Sequence, residues 1–132
     1  MDKGFLGLAL LMAATVALHV FSGGPEFADP FRVELPNDHL RAMALVLWHA
    51  VTVVLIVLAG TYLALARGPN RALLWASSAL QLGWAALFLG YGLGLLGQVT
   101  SLPQWVIFLA FPLLAHLAER RRSRAKIRPA AA

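Results

Sequence analysis

HLRAMALVLWHAVTVVLIVLAGTYLALA, residues 39–66, places Arg41 ahead of 25 consecutive residues without a formal charge. As a helix this stretch rises about 40 Å, at 1.5 Å per residue, and outreaches the ~30 Å hydrocarbon core of a bilayer. Apolar side chains occupy every face of it, so no face is left for water and lipid must be its solvent.

Working outward, Arg67-Gly68-Pro69-Asn70-Arg71 forms a charged tight turn, and a second long apolar stretch follows over 72–97. Gln98 to Pro103 is an uncharged turn, with Pro103 suited to the first turn of the next helix. The last apolar segment, 104–118, is the shortest, at roughly 22 Å. Upstream, 4–22 is apolar and is closed by Ser22-Gly23-Gly24-Pro25, read as a helix stop because glycine takes the left-handed cap and proline cannot continue. Residues 23–39 then read as a polar extracytoplasmic loop holding Glu26, Asp29, Arg32, Glu34 and Asp38 among three prolines. Asn37 or Asp38 caps the helix after it. The expected fold is all-α, an integral membrane four-helix bundle forming one membrane domain over 1–132. A cleaved signal peptide is the rival reading of 4–22; its length, its poor cleavage site and three further apolar segments favour retention.

Composition agrees. Of 132 residues 60% are hydrophobic and 13% charged, with mean hydropathy +0.73. Soluble domains carry about 25% charged residues. The absence of cysteine excludes disulfides and thiolate chemistry.

The net charge of +5 is unevenly placed. With the N-terminus inside, Lys3, Arg67, Arg71 and the tail residues Arg120, Arg121, Arg122, Arg124, Lys126 and Arg128 are cytoplasmic, nine against Arg32 and Arg41 outside. That split is a positive-inside signal, and it places both termini in the cytoplasm of a bacterial inner membrane. The basic tail, 119–132, reads as a contact for anionic lipid headgroups. No RNA-binding aromatic or glycine pattern accompanies it, so nucleic acid is not an expected partner.

Helix packing is expected from Gly83, Ala86, Gly90, Gly94 and Gly97, a small-residue stripe that lets backbones approach closely. Packing within the chain is the favoured use of it, and a homodimer or a membrane protein partner the other. Gly92-Leu93-Gly94-Leu95-Leu96-Gly97 also matches GxGxxG, but without the strand, helix and acidic residue of a dinucleotide site.

Ionisable residues within spans are candidates for function because their burial is costly. His49 lies about 12 Å below one face and Gln81 about 15 Å from the other, so both approach the midplane. His49 and Thr52 share a helix face; Ser77, Gln81, Trp84, Phe88 and Tyr91 share another. Together these stripes would form a polar seam. His19 lies about 6 Å below the outer face, under a rim of Glu26, Asp29, Asp38 and His39 that offers nitrogen and oxygen donors to a divalent metal. A b-type haem between His19 and His49 is a further alternative, although the two differ by about 6 Å in depth. His116, one turn after Pro112, is expected to bond the freed Phe108 carbonyl or lipid headgroups.

No arrangement for nucleophilic catalysis is present in the sequence, and Met1, Met12 and Met43 form no copper ladder. Small four-helix multidrug exporters are similar in length and topology, but they depend on a first-helix glutamate where this chain has Thr15 and His19. The stretch from His19 to Glu26, with Trp48-His49 and Pro103-Gln104-Trp105, resembles uncharacterised small four-helix inner-membrane proteins of bacteria. The resemblance implies topology and brings no activity with it. The expected function is that of a small multi-pass accessory or interaction protein without catalysis. The alternatives are a haem-, quinone- or metal-binding redox module on His49 and His19, and a small proton-linked transporter using the His49–Gln81 seam.

Overall fold

The structure, a computed structural model, describes residues 1–127. Every regular element among them is helical: α1 (Lys3–Phe21), a π-helical turn (Gly24–Ala28), α2 (Asp29–Val33), α3 (Asp38–Arg67), α4 (Arg71–Leu96) and α5 (Gln104–Ile127). Three stretches are long and apolar enough to cross a membrane: Lys3–Val33, Asp38–Arg67 and Arg71–Leu96. At most 22% of the most apolar window of any of them is buried, so most of that apolar surface faces outward. α5 stands apart because Glu119, Arg120 and Arg121 follow its 15 apolar-segment residues Gln104–Ala118 directly.

Helix ends follow local chemistry. Asp2 Oδ1 accepts from the amides of Gly4 (3.0 Å) and Phe5 (3.1 Å), capping α1. Asn37 caps α3 through the Leu40 amide (2.9 Å), and Asn70 caps α4 through that of Leu73 (3.0 Å). Each side-chain oxygen satisfies an amide that has no partner inside its helix. α4 closes on Gly97, whose φ of +69° is left-handed. Gln98 N–H donates to the Gly92 carbonyl (3.1 Å) and Gly97 N–H to that of Leu93 (3.2 Å), satisfying carbonyls of the last turn. The GxGxxG match is thus the last turn and cap of a helix.

α1 ends at Phe21, next to the expected stop at Ser22-Gly23-Gly24-Pro25, but a new helical segment begins at once, so most of the expected loop 23–39 is helical. Gly23 is right-handed (φ −73°, ψ −26°). Pro25 and Pro30 each fall in the first turn of a new segment, where a missing N–H costs nothing. Only 34–37 lies outside helix before α3. The basic tail likewise continues α5 to Ile127. Its Arg, Ala, Lys and Glu are good helix formers, and Glu119 pairs with Arg122 one turn on. Arg128 lies outside the described residues.

The chain divides into two compact units, one of residues 1–8 and 64 onward, the other Ala9–Leu63. In the first, α4 and α5 pack through aromatic rings. Phe108 meets Trp84 edge-on at 5.0 Å and stacks with Phe88 at 5.8 Å.

The same unit is tied at one end by Arg122. Its Nη1 donates to the Leu65 carbonyl (2.7 Å), another guanidinium nitrogen pairs with Glu119, and its Cζ lies 4.9 Å from the Phe5 ring centroid. The origin is Pro69. Having no N–H, it cannot donate to the carbonyl four residues back, which is that of Leu65. Arg122 supplies the missing donor, and the Asp2 amide similarly reaches the Ala66 carbonyl (2.8 Å). Two orphaned acceptors at the end of α3 are satisfied by other segments.

Candidate functional site

In the second unit, α1 and α3 bring His19 against Trp48. The rings stack at 4.0 Å with a 20° tilt, and Phe27 lies 5.9 Å from the same indole. His19 Nε2 approaches the Trp48 carbonyl at 3.4 Å; a carbonyl only accepts, so Nε2 carries the hydrogen. Thr52 Oγ1 donates to that carbonyl as well (3.4 Å). Gly23 is the residue that permits this cluster, since a Cβ there would sit 2.8 Å from Trp48 Cη2. The glycine serves close approach where the sequence suggested a left-handed cap.

This geometry does not set out a bis-histidine haem site. His19 has one ring face on Trp48 and directs Nε2 into the protein, while the neighbouring His49 is exposed. The rim residues Glu26, Asp29, Asp38 and His39 are exposed too. Asp29 pairs with Arg32 (2.7 Å) and Asp38 with Arg41 (3.0 Å). Among the described residues no three His, Asp or Glu side chains gather as a metal site. Gln81 belongs to the other unit, where it is 0% exposed and donates to the Ser77 carbonyl at 2.9 Å.

The first unit holds the larger polar feature, a groove of about 940 Å³ between α4 and α5. At its floor Ser78 Oγ donates to the Leu74 carbonyl (2.8 Å) and lies 3.3 Å from His116 Nε2. With the single hydroxyl hydrogen used on Leu74, the imidazole must donate to Oγ. Trp75 covers His116 at 4.7 Å. His116 therefore finds its partner on α4, where sequence had pointed to the Phe108 carbonyl or to headgroups. Neither Ser78 nor Trp75 was singled out by sequence. The available signal was their spacing: Arg71, Trp75, Ser78 and Leu82 advance by four, three and four residues along one face of α4.

The glycine stripe also differs from expectation. Gly83, Ala86, Gly90 and Gly94 are exposed, and a Cβ built at any of the three glycines meets nothing within 4 Å. α5 packs on a different face of α4, that of Trp84 and Phe88. The buried glycine is Gly92, off the stripe, where a Cβ would lie 3.1 Å from the Gln98 carbonyl oxygen. Gly97 serves as the helix cap. The chain matches no family model, no curated protein and no solved structure.

Proposed function

We propose that this chain is a small multi-pass protein of the bacterial inner membrane, a four-helix bundle with both termini in the cytoplasm, acting as an accessory or interaction protein without catalysis of its own. The observation that carries the interaction role is the open face of Gly83, Ala86, Gly90 and Gly94. Glycine in a helix costs about 1 kcal/mol relative to alanine. Against lipid alone three glycines return nothing for that cost, whereas against another helix they permit backbone contact and close van der Waals packing. A partner helix, from a second copy or another membrane protein, is the natural occupant.

Orientation rests on charge. The count of Lys and Arg, nine on one side against Arg32 and Arg41 on the other, favours a cytoplasmic N-terminus. The arginines after Ala118 allow the short α5 to span by snorkelling.

The test is cysteine substitution in the cysteine-free chain. Gly94→Cys should cross-link within native membranes, to a product of twice the chain's mass for a homodimer or of another fixed mass for a different partner. Leu96→Cys, exposed on the opposite side of α4 at about 200° from Gly94, should not. Monomeric Gly94→Cys and Gly90→Cys under conditions that cross-link a known dimer would refute the interaction role. Cysteines at Glu34 and Ser123 report topology; labelling of Ser123→Cys from outside intact cells would overturn the orientation.

A further inference from the structure

We propose that the α4–α5 groove is a binding site for one anionic phospholipid, with its phosphate held by Arg71, Arg120 and Arg124 and an acyl chain lying along Leu82, Leu109 and Leu113. The proposal rests on the membrane reading above and deepens it by giving the basic end of the chain a specific ligand.

Charge complementarity identifies the occupant. Arg71 opens α4, while Arg120 and Arg124 stand one turn apart on α5, and all three line the same groove. Among the described residues none of the three makes an ion pair. Glu119 also lines the groove, but its carboxylate is engaged by Arg122, on the clamp rather than at the phosphate. Guanidinium groups present planar forks that match phosphate oxygens two at a time. A basic pocket between membrane helices at the cytoplasmic side is the setting in which acidic headgroups are held.

The rest of the groove excludes a bare anion as the best fit. Away from its charged end, apart from Ser78 and His116, the groove is lined by apolar residues such as Leu74, Leu82, Leu109 and Leu113, and its volume of about 940 Å³ is far more than a phosphate ion fills. Trp75, 59% exposed, stands between the charged and apolar parts, where an indole suits the headgroup level. Ser78 and His116, hydrogen-bonded to each other, put a polar floor beneath the glycerol-ester region.

The experiment is native mass spectrometry of the full chain released from nanodiscs containing equal phosphatidylglycerol and phosphatidylcholine. Wild type should retain one phosphatidylglycerol in preference to phosphatidylcholine. The variant R71Q/R120Q/R124Q, altered only at exposed positions, should lose that preference by roughly tenfold or more. Ala79→Trp, which fills the groove wall and leaves the arginines in place, should lose the bound lipid as well. Inorganic phosphate at millimolar concentration should not displace it. Equal retention of both lipids by wild type, or unchanged preference in the triple variant, overturns the proposal. Displacement by phosphate alone would assign the site to a free anion and overturn it too. Failure of the membrane reading looks different: the chain would not enter nanodiscs and would stay in solution without detergent.

Discussion

Arg122→Ala is predicted to destabilise the first unit by about 3 kcal/mol. The hydrogen bond to Leu65 is charge-assisted and worth about 1.5–3 kcal/mol. The contact with the Phe5 ring adds roughly 0.5–2 kcal/mol. The ion pair with Glu119 is largely buried, its side chains only 11% and 22% exposed, so desolvation offsets most of its attraction, but losing Arg122 leaves the carboxylate uncompensated and adds to the cost. These terms share one side chain and do not sum fully. The assay is reversible unfolding in mixed micelles by titrated SDS, followed by far-UV circular dichroism. Arg122→Lys keeps the charge without the fork and should recover only part of the loss. Arg121→Ala, at an exposed position, should stay within about 0.5 kcal/mol of wild type. Pro69 gives the sharper control: Pro69→Ala restores an N–H four residues after Leu65. In the Arg122→Ala background it should therefore be more favourable than in wild type, with a coupling of about 1 kcal/mol. Equal stability of Arg122→Ala and Arg121→Ala, or no coupling to Pro69→Ala, would refute the reasoning.

Two further substitutions test the helix junctions. Gly23→Ala drives a methyl to 2.8 Å from an indole already stacked on His19, and should cost about 1–3 kcal/mol with a shift in tryptophan emission. Gly24→Ala, which meets nothing within 4 Å, should be neutral or slightly stabilising by the same titration; equal effects at the two glycines would count against the contact. Gly97→Ala imposes a side chain on φ +69° and should cost about 1 kcal/mol, whereas Gly94→Ala should not destabilise the isolated chain.

Sequence located the helices along the chain better than it located their faces. The turn at Gly68-Pro69, the cap at Asn37 and the end of α4 at Gly97 are local events governed by a few neighbouring atoms. Depth estimates from helical rise gave each histidine a height but no direction. His116 is expected near one membrane face, but its partner Ser78 depends on how α4 and α5 are rotated about their axes. The same ambiguity put the glycine stripe inside the packing, where Trp84 and Phe88 in fact meet Phe108. At Gly23 the left-handed cap is what sequence gets wrong, because a glycine that caps a helix and one that admits a close neighbour look alike. Only the position of Trp48 separates the two.

The continuation of α5 through its arginines changes what that run of charge is. A flexible basic tail would present its cations as one interchangeable cloud. On a helix each successive residue turns about 100°, so neighbours in sequence serve different neighbourhoods in space. Arg122 is committed to the end of α3, Arg120 and Arg124 border the groove, and Arg121 is directed elsewhere. Neutralising the run as a block would confound loss of the fold with loss of whatever the groove holds, and substitution one arginine at a time separates them.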